Sequence, residues 1–216
     1  MNLTAELTKM REEGRAARPD NINEIIDREI NRLSESGMTE SAPKAGQTLM
    51  DFKLPNQNGN YVHLQELREQ GPVVIIFYRG GWCPYCNLEL RAYQEVLADI
   101  KATGAKLVAI TPELPDSSLT TAEKNELQYD ILTDENMEYA SRLGLSFTLP
   151  ESVREIYDGF GIDLQGHNGI GKFNLPLAAT FVVDTNGMII SSFVKVDYTY
   201  RKNPMEVVAE LKSLYK

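Results

Sequence analysis

The sequence predicts an α/β fold: a mixed, largely parallel central sheet covered by helices on both faces, with a helical pair appended at the N-terminus. Three observations carry this reading. Short apolar runs such as Val73–Tyr78 and Lys106–Thr111 alternate with stretches whose apolar residues recur at helical spacing, the pattern of a sheet buried on both faces. Two Asn-Gly pairs, Asn58-Gly59 and Asn186-Gly187, mark tight turns between strands. The chain's only two cysteines, Cys83 and Cys86, directly follow one of the apolar runs and open a helical pattern.

Residues 2 to 37 predict two helices. Leu3, Leu7 and Met10 make the first weakly amphipathic, and Pro19-Asp20 restarts the chain. Ile22, Ile25, Ile26, Ile30 and Leu33 then form an apolar stripe, with Gly37 as the stop. Such a stripe must be covered, first by the rest of the chain and otherwise by a second copy in a homodimer. Met38 to Gly46, rich in Ser, Pro and Gly, reads as a linker. The division expected is a helical extension over 1–40 and a main domain over 41–216.

In the main domain, strands are expected over Leu49–Leu54 and Tyr61–Leu64, followed by a short helix to Glu69 and the strand Val73–Tyr78. A helix from Asn87 to Lys101 presents Leu88, Tyr93, Val96, Leu97 and Ile100 on one side. Next come a strand over 106–111, a helix over 115–128, a short strand over 131–133 and helices over 136–143 and 151–157. Residues 159–174 read as a long Gly-rich loop. Strands over 177–183 and 188–196 flank Asn186-Gly187, and Pro204 opens a closing helix to Tyr215 with Val207, Val208 and Leu211 inward.

Composition narrows the function. A net charge of −9 argues against nucleic acid and anionic membrane surfaces. The N-terminus has neither a basic segment nor an apolar run, and no stretch is long and apolar enough for a membrane helix. The expected location is therefore the cytoplasm, where a close-spaced cysteine pair is more often catalytic than structural.

The cysteines sit in the first helical turn, with Pro84 at the first helical position. A spacing of three puts both side chains on one face, within reach of a disulfide. The helix N-terminus favours thiolate over thiol. A zinc site needs about four ligands, and beyond the cysteines the chain offers only His63 and His167. No metal or organic cofactor is expected. His63 reads as structural, His167 as solvent-exposed, and Glu151 and Glu155 as a solvated helix face. Trp82 and Tyr85 flank the cysteines, where they could shield the site or meet a protein partner.

Residues 46 to 215 resemble the peroxiredoxin branch of the thioredoxin-like fold, the alkyl hydroperoxide reductase and thiol-specific antioxidant family. The resemblance rests on Asp51–Gly59, the strand Val74–Tyr78, the Trp82-Cys83-Pro84-Tyr85-Cys86 site and Phe181–Gly187, in that order. It implies a thioredoxin-like three-layer fold. In the family's register Cys86 falls on the peroxide-attacking position and Glu89 on a family Glu, while Cys83 replaces a Thr and Arg79 a Pro. In the thioredoxin register the first cysteine, Cys83, is the nucleophile, so the roles of Cys83 and Cys86 stay open. The family's arginine position is Ala178 here, and Ala179 stands where thioredoxins place a cis-proline. Arg79, at the strand end, is the first candidate to replace the missing charge. Arg201 is the second, although its connection need not reach the site.

The resemblance implies a thiol-dependent peroxidase. It would act on hydrogen peroxide or organic hydroperoxides through Cys83, Cys86 and Arg79, and be recycled by a thioredoxin- or glutaredoxin-type donor. Two alternatives remain: a thiol–disulfide oxidoreductase acting on protein disulfides, and a redox-sensing interaction module.

Overall fold

The apolar spacing of the first residues produces α1 (Leu3–Ala17) and α2 (Asp20–Glu35) in the computed structural model, which describes residues 1–214. Asn2 caps α1 by accepting from the Ala5 N–H. Pro19 breaks the chain between the two helices, and Gly37, in the left-handed region at φ 73°, ends α2. The stripe docks on its own chain: Ile22 and Ile25 pack against Leu149, Val153, Ile156 and Tyr157. The linker is not wholly irregular, because Met38–Ser41 forms a one-turn helix, α3.

β1 (Lys53–Pro55) and β2 (Tyr61–His63) form an antiparallel hairpin. The Asn56 side chain organises its turn by accepting from the N–H groups of Asn58 and Asn60, with Gly59 at φ 79°. The strand expected from Leu49 is shorter than predicted, because Leu49 and Phe52 serve as core residues outside it. α4 (Leu64–Arg68) leads into β3 (Val73–Phe77). There follow α5 (Pro84–Glu95), α6 (Leu97–Ala102), β4 (Lys106–Thr111), α7 (Pro115–Lys124), β5 (Asp130–Thr133) and α8 (Glu138–Arg142). The chain continues through β6 (Ser146–Thr148), α9 (Glu151–Gly159), α10 (Leu164–Asn168), β7 (Asn174–Pro176), β8 (Ala178–Val183), β9 (Ile189–Lys195) and α11 (Pro204–Ser213).

The central sheet has the order β5-β4-β3-β8-β9. β3, β4 and β5 run parallel, whereas β8 pairs antiparallel with both β3 and β9, so the sheet is mixed as expected. Alternation along β3 sets the layers. Val74, Ile76 and Tyr78 enter one core with Leu90 and Tyr93 of α5, Ile100 of α6 and Leu211 of α11. Val73, Ile75 and Phe77 enter the other with Leu64 of α4 and Tyr139 of α8. Each fully buried Val or Ile contributes roughly 1.5–3 kcal/mol relative to exposure.

Four local features depart from the sequence reading. The helix after the cysteines breaks at Val96 (φ −101°, ψ 9°), leaving α5 and α6. α7 stops at Lys124 because Glu126 turns left-handed at φ 53° and the Leu127 N–H bonds to the Ala122 carbonyl. The Gly-rich segment contains α10, and its exit forms β7, which pairs with β6 in an unforeseen two-stranded sheet. The closing helix is described to Ser213; its expected end at Tyr215 lies outside the described residues.

Candidate active site

The site lies where β3 hands over to α5. Gly80 adopts φ 152°, which side chains rarely tolerate, and a Cβ there would meet the Trp82 indole nitrogen at 2.2 Å. At Gly81 a Cβ would meet Thr121 Oγ1 of α7 at 1.9 Å. The two glycines thus let the loop pass between an aromatic ring and a helix. A buried amide chain pins it: Asn125 donates to Asn87 Oδ1 at 2.9 Å, and Asn87 donates to the Gly81 carbonyl at 2.7 Å. Neither amide was singled out from sequence, although Asn87 lies one position beyond Cys86.

Cys83 occupies the N-cap of α5 and Pro84 its first position. The Cys83 carbonyl accepts from the N–H groups of both Cys86 and Asn87 at 3.1 Å. Both sulfurs are free thiols, and Cys83 is 2% exposed and Cys86 0%. The pair shares its protons unequally. Burial pushes the Cys83 thiol up, but a hydrogen bond from Cys86 and the charges of Arg79 and Arg201 outweigh it and bring it to about 6. Burial and the neighbouring Cys83 push Cys86 well above the ordinary thiol value. The arrangement is one thiolate and one thiol.

Arg201 reaches the site. Asp197 Oδ1 accepts from the Thr199 N–H and hydroxyl, and this turn folds Tyr198–Arg201 back over α5. Arg201 Nη2 lies 3.2 Å from Cys86 Sγ, and Nε lies 2.5 Å from Glu89 Oε2. Its Nη1 donates to the carbonyls of Tyr198 and Tyr200. The expectation that this connection need not reach the site is corrected: Arg201 is buried beside the dithiol. Burial raises Glu89 to about 8 against the opposing charge of Arg201. Its second oxygen, Oε1, makes no hydrogen bond and is the atom that can carry the proton.

Arg79 is also buried, at 2% exposure, but holds no carboxylate. Its guanidinium lies 4.1 Å from the Tyr198 ring centroid, 5.1 Å from Trp82 and 5.3 Å from Tyr157, and Nη2 donates to the Tyr157 hydroxyl. Nε and Nη1 have no hydrogen-bond partner. Trp82 and Tyr85 pack inward, against Tyr157 and Tyr198 respectively, and so shield the site. Ala178 and Ala179 are buried in β8.

His63 ends β2, half-buried. His167 is not solvent-exposed as expected: it is half-buried, with Nδ1 2.9 Å from the fully buried Glu113 carboxylate. That hydrogen bond raises the His167 pKa. Glu151 and Glu155 are exposed. Among the described residues, no group of three His, Cys, Asp or Glu side chains is placed to hold a metal, and no helix is long and apolar enough to cross a membrane.

Residues 45–192 match the model of the AhpC/TSA family. The chain is 28% identical over 128 residues to peroxiredoxin Bcp of Escherichia coli K12, a span of 57% of this chain and 81% of that one. Its fold is similar to that of peroxidoxin BcpB from Mycobacterium tuberculosis (TM-score 0.63, 24% identity, 79% of this chain and 97% of that one). It is also similar to the bacterioferritin comigratory protein of Xanthomonas campestris, a structure described for alkyl peroxide reduction (TM-score 0.59, 16% identity, 76% and 92%). The fold is the thioredoxin-like fold of the peroxiredoxins. This chain belongs to the AhpC/TSA family and is a thiol-dependent peroxidase.

Proposed function

We propose that Cys83 is the peroxide-attacking thiolate, Cys86 the resolving thiol and Glu89 the proton holder, with Arg79 and Arg201 stabilising the negative charge. The observation that carries this is the asymmetry of the pair: Cys83, at the N-cap of α5, is held low against burial by the Cys86 thiol and two arginines. Cys83 Sγ attacks the distal peroxide oxygen, forming an S–O bond as the O–O bond breaks. The sulfur is oxidised to a sulfenic acid, and the departing alkoxide takes a proton to leave as alcohol, or as water from hydrogen peroxide. Glu89, with a pKa of about 8, is protonated much of the time at neutral pH and can supply that proton through the Cys86 thiol. Cys86 then displaces hydroxide from the sulfenic acid, giving the disulfide and, with the Cys86 proton, water. A dithiol donor of thioredoxin or glutaredoxin type in the cytoplasm restores both thiols by exchange.

Burial favours peroxides over protein disulfides as the oxidant. A small peroxide fits a sulfur that is 2% exposed, whereas a protein disulfide needs an open approach. The test is to oxidise each single variant with hydrogen peroxide and trap sulfenic acid with dimedone. Cys86→Ser should retain the adduct on Cys83, and Cys83→Ser should lose it. An adduct formed only on Cys86, in Cys83→Ser, would assign the attack to the cysteine that Arg201 touches.

A further inference from the structure

The Arg201 guanidinium is aimed by its own turn. Nη1 donates to the carbonyls of Tyr198 and Tyr200, Nε donates to Glu89, and Nη2 is left on Cys86 Sγ at 3.2 Å. The two carbonyls fix the guanidinium plane, so whatever holds residues 198–200 also sets the distance from charge to sulfur. Tyr198 is packed from the inside, where its ring meets Tyr85 and the Arg79 guanidinium. Thr199 and Tyr200 are held from the outside, by α1.

Arg11 of α1 makes that contact. It is half-buried, its Nη1 donates to Thr199 Oγ1 at 3.4 Å, and its guanidinium lies over the Tyr200 ring, 4.4 Å from the centroid. Thr199 Oγ1 in turn donates to Asp197 Oδ1 at 2.7 Å. A hydrogen-bond chain thus runs from Arg11 through Thr199 to Asp197, with Tyr200 clamped under the same guanidinium. Nη2 of Arg11 donates to Thr8 on its own helix, which fixes the side chain along α1. Elsewhere on α1, Lys9 pairs with Glu13 and Arg15 with Asp27, whereas Arg11 is directed at the turn. Both α1 and the turn lie outside the family-matched residues 45–192.

We propose that Arg11 is a positioning residue for the peroxidase: from α1 it braces the Thr199–Tyr200 turn and so holds Arg201 Nη2 against Cys86. The N-terminal helix then belongs to the working site and is more than its cover. If the brace is released, the turn relaxes outward and draws the guanidinium off the sulfur. The thiolate and the departing oxygen both lose part of their stabilising charge. The inference rests on the role proposed above for Arg201, and the experiment separates the two.

Trp82 is the chain's only tryptophan and adjoins Cys83, so its fluorescence follows dithiol oxidation. Oxidation by hydrogen peroxide is measured by stopped flow for Arg11→Met, Tyr200→Leu and Arg15→Met, each alone and combined with Arg201→Met. Iodoacetamide alkylation of the single variants is measured against pH, and urea unfolding checks that each is folded. Tyr200 is 46% exposed, so its exchange tests the brace without disturbing the core. Arg11→Met and Tyr200→Leu should each slow oxidation by about three- to tenfold, less than the ~10²-fold of a full ångström's misplacement. Both should move the alkylation midpoint upward, because a cation drawn away no longer favours thiolate. Combined with Arg201→Met, neither should slow oxidation further, since a brace has no effect once its load is gone. Arg15→Met changes the same helix away from the turn and should oxidise at the wild-type rate. Rates within about twofold of wild type for Arg11→Met and Tyr200→Leu, or a loss that persists in full beside Arg201→Met, overturn the brace and leave Arg201 its role. An equal loss in Arg15→Met also overturns it, by assigning the effect to the seating of α1. Arg201→Met oxidised as fast as wild type overturns the role of Arg201 and, with it, this one.

Discussion

Two arginines flank the dithiol, and their surroundings make them opposite in what they do for the fold. Arg201 donates to Glu89 in the core, so Arg201→Met would leave a buried Glu89 oxygen without its donor and cost about 1–3 kcal/mol of stability. Arg79 has only aromatic faces and a phenol, so Arg79→Met removes an uncompensated buried charge and should leave stability unchanged or higher. The same change should slow peroxide oxidation at pH 6 by roughly ten- to a hundredfold, below the ~10²–10³ of a dedicated oxyanion donor, because Arg201 and the helix N-terminus remain. The sign with pH follows from a thiol held below its ordinary value. The Cys83 thiolate is full above the folded pKa and is lost as pH falls through about 6. The wild-type rate should therefore plateau near pH 7, fall about tenfold per unit below 6, and fall again above about 8 as Glu89 loses its proton, with the lower midpoint moved upward in Arg79→Met. Stopped-flow oxidation across pH, beside urea unfolding of the same variant, checks both halves. A parallel loss of rate and stability would return Arg79 to a packing role. Both cysteines and Arg79 were legible in the sequence because strand, glycine pair and helix start are contiguous. Arg201 was a weaker candidate because only the turn at Asp197-x-Thr199 brings it back, and the destination of a turn is a tertiary fact.

At the scale of elements, what could be read locally was read well. The buried strands announced themselves as apolar runs, and both Asn-Gly turns join antiparallel strands. The β6–β7 pair escaped because its strands span three residues each and are separated by α9 and α10, too short for a period to show. The break at Val96 escaped because the apolar pattern continues through it: Leu97 and Ile100 still reach the core. The contact of Gly81 with α7 is likewise invisible until α7 is placed. It gives a test of how tightly the active-site loop is held. Gly81→Ala puts a methyl group 1.9 Å from Thr121 Oγ1, so the loop or α7 must shift. The expected cost is about 1–3 kcal/mol, with slower peroxide oxidation as Cys83 moves. Gly81→Ala with Thr121→Ala should recover much of both, because the added atom then occupies the space of the removed hydroxyl and methyl. A single variant as stable and active as the wild type would show that the loop has room to spare.

In the whole molecule, the N-terminal helices roof the dithiol. The Met1 ammonium meets Glu95 at the far end of α5, and a Cβ at Gly14 would lie 3.7 Å from the Tyr85 hydroxyl near its start, so α1 runs antiparallel along α5 with its last turns over the cysteine end. Arg15 of α1 then holds Asp27 of α2 at 2.7 Å, and α2 closes the side next to Arg79. This roof explains how both sulfurs are buried, and it poses a problem for recycling. Peroxide is small enough to enter, but a protein donor must bring its own sulfur in line with the disulfide. Donor access therefore depends on local opening of α1 and α2, and weakening their seat should speed recycling even as it costs stability. Leu7 is the lever, because it is buried against the core and lies away from the reacting atoms. Leu7→Ala should lower global stability by about 2–5 kcal/mol. It should also raise the rate at which a thioredoxin-type donor reduces the oxidised protein, by up to the factor by which the roof opens more often. Reduction by a small dithiol such as dithiothreitol should accelerate less, because it needs less clearance. The check is to follow Trp82 fluorescence during reduction of peroxide-oxidised wild type and Leu7→Ala with both donors. If the protein donor gains no more than the small one, the helices do not gate the site, and recycling must reach the disulfide by another face.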